Sequence, residues 1–200
     1  MATERFVDLA DRIWLLGDDG RQVLVAVDGP SGSGKSTFAA RLATALDAPV
    51  VPIDDFVSWD DFDGWWARLE EQVLAPYLAD RPVTYQRRDW GRDPLGAGLG
   101  EWRALLPARG LILEGVTSSR RKVADRLTFA VWIEAPRAVR LHRGLERDGE
   151  QMRSTCLAWM GREDSFFDED GARDRADLLV DGDHPATMPG DDYVAITRLS

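Results

Sequence analysis

The chain has 200 residues, with 25 basic against 35 acidic side chains and a formal net charge of −10. The length suits one domain with a proper core, and the acidic balance argues against nucleic acid or an anionic membrane surface as a partner, since both need a basic footprint. A single cysteine, Cys156, excludes an intrachain disulfide and fits a reducing, cytoplasmic setting, while no apolar run is long enough to span a bilayer.

The first predicted element is an amphipathic helix over about residues 3–16, where Phe6, Leu9, Ile13 and Leu16 recur at helical spacing. Glu4, Asp8 and Asp11 interrupt that segment, so it lacks the apolar stretch of a signal peptide. Val23–Val27 (VLVAV) is apolar throughout rather than alternating, which predicts a strand covered on both faces, as in a parallel sheet. A glycine-rich octet comes next, GPSGSGKS at Gly29–Ser36, and then a helical pattern with Phe38, Leu42 and Leu46 on one face. Pro49–Ile53 is a further strand candidate ending in Asp54-Asp55. The stretch at 59–66, WDDFDGWW, suits stacking on a planar group or the docking of a helix. Trp66, Leu69, Val73 and Tyr77 predict a second helix. Residues 81–100, punctuated by Pro82 and Pro94 and rich in Arg, Asp and Gly, read as an irregular substrate loop or surface excursion. Leu111–Leu113, Phe129–Ile133 and Leu178–Asp181 predict the remaining strands. Strands alternating with helices predict one α/β domain over 1–200, a doubly wound parallel sheet with helices on both faces.

GPSGSGKS fits G-x-x-x-x-G-K-[ST], and it stands between a buried-type strand and a helix, where that pattern carries chemistry. Glycines let the backbone curl so that successive N–H groups face phosphate oxygens, and the helix N-terminus adds partial positive charge. Gly29, Ser31, Gly32, Ser33, Gly34, Lys35, Ser36 and Thr37 are therefore the candidate phosphate-binding residues. Lys35, one of only two lysines in the chain, is placed to reach the β- and γ-phosphates, and the Ser36 hydroxyl to ligate Mg²⁺. Glu114 ends the strand Leu111–Leu113 and is the second metal candidate, because ligands bind at the carboxyl ends of such strands. Asp54 is the candidate for the base that takes the proton of an acceptor hydroxyl, with Asp55 second. Arg137, Arg140, Arg143 and Arg147 fall on one helical stripe opposite Ala138, Leu141 and Leu145. The expected arrangement packs the apolar side and leaves a cationic face to hold a triphosphate, with Arg143 as a catalytic candidate. Asp148-Gly149 breaks that helix, and Met152, Cys156 and Trp159 continue the helical pattern, so residues 137–168 are expected to form a mobile helical lid. His142 and His184 belong to no ligand cluster and read as surface residues.

In this order the loop GPSGSGKS, IDDF at 53–56, RRDW at 87–90, LILEGV at 111–116 and RLHRGLERDG at 140–149 resemble the uridine kinase-like group of P-loop small-molecule kinases. The resemblance spans about residues 21–182. It implies a five-stranded parallel core, ATP with Mg²⁺, and transfer of the γ-phosphate to a hydroxyl, most directly a nucleoside 5′-hydroxyl. It makes Asp54 the counterpart of the base, assigns Ser36 and Glu114 to the metal and Arg140, Arg143 and Arg147 to the lid. It sets Asp89 among the substrate contacts and Gly182 near the adenine; Asp55, Asp61 and Arg88 join the substrate-binding candidates. Val57 stands where the group usually has tyrosine, and Arg88 precedes Asp89 where it usually has a tyrosine, so the acceptor pocket departs from the pattern. The alternatives are a kinase for another alcohol, such as a vitamin precursor, sugar or cyclitol, and an ATP-binding regulatory module without transfer. The acidic surface and N-terminal helix are compatible with a monomer or a homodimer.

Overall fold

The computed structural model describes residues 2–17, 20–59, 61–62, 64–92, 98–183 and 192–198; Pro94 and His184 lie outside them. In chain order the elements are β1 (Ala2–Arg5), α1 (Phe6–Leu16), β2 (Val23–Asp28), α2 (Lys35–Leu46) and β3 (Val50–Pro52). Then come α3 (Trp66–Leu69), which runs through a π-turn at Glu70–Leu74 into α4 (Ala75–Leu78), β4 (Thr84–Arg88), β5 (Leu99–Ala104), β6 (Gly110–Glu114) and β7 (Phe129–Glu134). The chain continues through α5 (Arg137–Asp148), α6 (Arg153–Asp170), β8 (Leu178–Asp181) and β9 (Asp192–Arg198). No helix among the described residues is long and apolar enough to cross a membrane.

The continuous apolar runs form the centre of the main sheet, ordered β1–β9–β8–β7–β2–β6–β3. The five strands from β8 to β3 pair in parallel, as expected. Both faces of this core are covered, which is why its strands do not alternate. Val23, Val25 and Val27 face α1 and α2, against Phe6, Leu9, Ile13, Phe38, Leu42 and Leu46. Leu24, Leu111 and Leu113 face the other way, against Phe56, Trp65, Leu69, Val73 and Tyr77. Each such side chain contributes about 1.5–3 kcal/mol by leaving water. The parallel register pairs Val27 and Pro52 with Glu114. The carboxyl ends of β2, β3 and β6 therefore finish together, and their acids crowd one end of the sheet.

Four expectations are corrected. Residues 3–5 are strand rather than helix, because β1 pairs antiparallel with β9 at the sheet edge, and Leu16 at the helix end is exposed. The segment 81–100 is not wholly irregular: β4 and β5 pair antiparallel as a separate two-stranded sheet, with Tyr85 fully buried. The strand expected at Pro49–Ile53 is shorter, and Ile53–Asp55 is a 3₁₀ turn that swings the two aspartates apart. The fourth concerns the arginine stripe. The only buried side chain on α5 is Arg140, whereas Ala138 is exposed and Leu141 and Leu145 are half-buried. Arg140 and Arg143 turn inward, the first toward Glu163 and the second onto the Gly32 and Gly182 carbonyls, while Arg137 and Arg147 stay exposed.

Candidate active site

β2 ends at Asp28, the chain curls through Gly29–Gly34, and α2 begins at Lys35. Gly32 has φ 75°, and a Cβ there would overlap the Arg140 backbone, so both conformation and close approach call for glycine. The buried Lys35 side chain folds back over the loop, and its Nζ donates to the Pro30 carbonyl at 3.0 Å. Ser36 Oγ donates to Glu114 Oε1 at 3.1 Å, joining the two metal candidates. The Ser33 hydroxyl is buried without a hydrogen-bond partner among the described residues, and Ser36 and Thr37 are exposed at the start of α2.

Asp28 is a residue that the sequence reading missed. It is fully buried and accepts four hydrogen bonds: from the N–H groups of Gly29 (2.7 Å), Thr117 (2.8 Å) and Ser119 (2.8 Å), and from the Ser119 hydroxyl (2.7 Å). It thereby ties the loop to the segment after β6. Thr117 has φ 68°, unfavourable for a β-branched residue. Besides the Asp28 bond, the buried Arg120 donates to Thr117 Oγ1 at 2.9 Å, and the Arg120 guanidinium is stacked over Trp65 at 4.4 Å. The signal for Asp28 was present, since VLVAVD ends in an acid just as LILE does.

Asp54 and Asp55 diverge. Asp55 is buried and engaged, accepting from Tyr85 Oη and Arg87 Nε, each at 2.9 Å. Asp54 opens instead onto a cavity of about 600 Å³, whose other lining residues include Ser31, Thr117, Arg147, Asp148, Gln151 and Met152. Four aromatic side chains complete the wall: Trp59, Phe62, Trp90 and Trp159. Trp159 meets Trp59 edge-on at 4.9 Å and Phe62 at 5.0 Å, and the Trp90 indole N–H donates to the Asp54 carbonyl at 2.7 Å. The aromatic stretch thus divides: Trp59 and Phe62 face the cavity, while Trp65 is buried in the core.

The other substrate candidates do not line this cavity. Asp61 accepts from the Gly64 N–H at 2.5 Å and lies 3.8 Å from Arg88, whose Nε donates to the Phe56 carbonyl at 2.8 Å. Asp89 accepts from the Arg92 N–H at 3.2 Å. The arginine stripe is also divided. Arg137 pairs with Asp164. Arg140 Nε donates to the Ala135 carbonyl at 3.1 Å. Arg143 donates to the carbonyls of Gly32 (3.1 Å) and Gly182 (3.0 Å), fastening the P-loop to the segment after β8. Of the four arginines only Arg147 lines the cavity, where it makes a two-pronged contact with Asp148 at 2.8 and 2.7 Å.

Gly182 lies so close to the loop that a Cβ would overlap the Ser33 carbonyl oxygen and crowd Ile133. Because that obstacle is backbone, Gly182→Ala is expected to cost about 1–3 kcal/mol, read as a lower melting temperature. An unchanged melting temperature would show that the two segments are free to separate.

Lys35 is the common countercharge of the site. Burial raises the carboxyls of Asp28, Asp54, Glu114 and Glu163 above their ordinary values, and in each case the Lys35 charge opposes the rise. Asp54 reaches solvent through the cavity, yet the surrounding walls crowd it enough for burial to dominate; Arg147 helps Lys35 to oppose this. Acids outnumbering the lysine in this way fit a further cation. Among the described residues no three His, Cys, Asp or Glu side chains converge to hold one unaided. Ser36 and Glu114 supply two oxygens, which suits Mg²⁺, an ion usually bound by one or two protein oxygens together with phosphate and water.

No protein-family profile matches the chain. Among solved structures, a possible uridine kinase from Bacillus stearothermophilus aligns with a TM-score of 0.58 at 21% identity, covering 86% of this chain and 98% of that one. A candidate fructose transport system kinase from Silicibacter sp. TM1040 aligns with a TM-score of 0.58 at 22% identity, covering 82% and 95%. The fold is that of the P-loop kinases. Within this P-loop kinase fold the glycine loop, the Glu114 strand end and the Asp54 cavity share the carboxyl end of one parallel sheet.

Proposed function

We propose that the chain is an ATP-dependent small-molecule kinase, cytoplasmic in keeping with its lone cysteine, that transfers the γ-phosphate to a hydroxyl, first of all a nucleoside 5′-hydroxyl. The observation that carries this reading is Ser31, which belongs to the glycine loop and also lines the aromatic cavity onto which Asp54 opens. A group held by the loop and a group held in the cavity would meet there. Residues Gly29–Thr37 would hold the phosphates of ATP, and Mg²⁺ at Ser36 and Glu114 would neutralise charge on them. Asp54 orients the acceptor hydroxyl and takes its proton. Lys35 stabilises developing charge from the loop side and Arg147 from the cavity side. Arg143 holds the start of the lid on the loop, Arg140 lies beside it facing Glu163, and Gly182 keeps the segment near the base of the nucleotide close to it. Trp59, Phe62, Trp90 and Trp159 offer flat apolar faces, which favour a planar base over an open-chain alcohol. The neighbouring folds include a possible uridine kinase, which agrees with this choice.

One observation favours a different alcohol, such as a sugar or vitamin precursor: Arg88 and Asp89 turn to backbone partners outside the cavity. The test is ADP release with Mg²⁺–ATP and a panel of uridine, cytidine, other nucleosides, pantothenate and simple sugars. Release stimulated by a nucleoside supports the first reading and release with a sugar or pantothenate alone supports the second. ATP binding with no stimulated release would make the chain a regulatory module.

A further inference from the structure

We propose that Glu163 is an internal anion held by Ser31 until a third phosphate arrives, so that this glutamate sets how strongly the loop prefers a nucleoside triphosphate to a diphosphate. The inference rests on the kinase reading above. Glu163 sits on α6, 132 residues from Ser31 in sequence, and is fully buried. The Ser31 N–H donates to its two carboxylate oxygens at 3.2 and 3.1 Å, and the Ser31 hydroxyl donates to Oε1. An acidic side chain from the lid therefore occupies an N–H donor of the phosphate loop.

Ser31 supplies all the hydrogen bonds given to this carboxylate among the described residues, and no cation closes on it directly. Among the described residues the one guanidinium paired with it is Arg140, whose Nη1 stands 3.8 Å away, beyond hydrogen-bond reach. That Nη1 is itself buried without a hydrogen-bond partner among the described residues. A buried acid and a buried cation facing each other across an unclosed gap are costly to both, and they suit an anion with more oxygens than a carboxylate has. A glutamate kept only to brace the loop would be served better by closing on Arg140.

Position says which phosphate is concerned. Ser31 alone among the loop residues lines the cavity with Asp54. Its N–H therefore lies at the acceptor side of the loop, where the phosphate to be transferred must be. A phosphate oxygen at Ser31 takes the donors that Glu163 holds, and two anions do not share them. A diphosphate ends short of Ser31 and leaves Glu163 in place. Trp159 precedes Glu163 by four residues on the same helix face and forms part of the cavity wall. Release of Glu163 is thereby passed directly to the acceptor pocket.

The test is calorimetric binding of Mg²⁺–ATP and Mg²⁺–ADP to the wild type, Glu163→Gln and Glu163→Asp. Both variants are expected to raise the ATP-to-ADP affinity ratio, the first by about fivefold or more, with ADP affinity little changed. An unchanged ratio in folded variants, or equal weakening of both nucleotides, overturns the proposal and leaves a brace. Should either variant fail to fold, hydrogen exchange on the wild type decides. ATP but not ADP should alter exchange over residues 158–166, and identical patterns overturn the proposal. A wild type that turns over ATP while failing these tests leaves the kinase reading intact. A wild type that binds neither nucleotide overturns both.

Discussion

Lys35→Ala is expected to lower ATP-dependent turnover by about two to three orders of magnitude, the loss that follows removal of one preorganised donor from a site of developing charge. The side chain is buried and its ammonium is already curled over the loop, 3.0 Å from the Pro30 carbonyl, so it is positioned before any nucleotide arrives. A compact ammonium fits this curl, while the planar fork of arginine would press on the Pro30 carbonyl, so Lys35→Arg is expected to rescue little. Lys35 has a second task, because it offsets the burial of Asp28, Glu114 and Glu163 and the crowding of Asp54 by the cavity walls. Its loss leaves these acids with less countercharge and raises their pKa values further. The acid limb of any residual activity should therefore move to higher pH, since Asp54 works ionised and would hold its proton longer. Steady-state ADP release across pH, with circular dichroism to establish folding, measures both effects. Wild-type turnover in folded Lys35→Ala would remove the phosphate role of the loop.

The parallel core was legible because strands covered on both faces must be apolar at every position, as VLVAV, LIL and FAVWI are. The loop was legible because its spacing and its strand–helix setting are local properties. The β4–β5 pair was hidden, since its residues are mostly exposed and polar and Tyr85 is the one fully buried among them. The cavity was hidden for a different reason. Its aromatic wall comes from residues 59, 62, 90 and 159, whose meeting depends on how α6 lies across the sheet end. The arginine stripe shows the limit of periodicity. Spacing established that Arg137, Arg140, Arg143 and Arg147 share a face, yet it could not say that Arg140 and Arg143 turn inward while Arg137 and Arg147 stay exposed. That depends on the Ala135, Gly32 and Gly182 carbonyls and on Glu163, Asp164 and Asp183. Glu163 gave no local signal, as its partner is 132 residues away.

Asp54→Asn is expected to keep nucleotide binding and to reduce transfer by about two to four orders of magnitude, the usual worth of a positioned general base. The amide can still accept a hydrogen bond from the acceptor, so acceptor affinity should change much less than the maximal rate. Asp55 supplies the contrast. Its carboxylate accepts from Tyr85 and Arg87 and does not line the cavity, so Asp55→Asn is expected to act on the fold. Disturbing those buried partners should cost about 1–3 kcal/mol and lower the melting temperature, with transfer in the folded fraction retained. The pH profile separates the two further. Desolvation by the cavity walls holds the solvent-reaching Asp54 above the ordinary aspartate value of 3.8 against the pull of Lys35 and Arg147. A base must be ionised, so activity should fall as pH drops through that raised value, and this limb should vanish in Asp54→Asn. Retained transfer in Asp54→Asn together with lost transfer in folded Asp55→Asn would move the base to the neighbouring residue, while retention in both would leave the cavity without one.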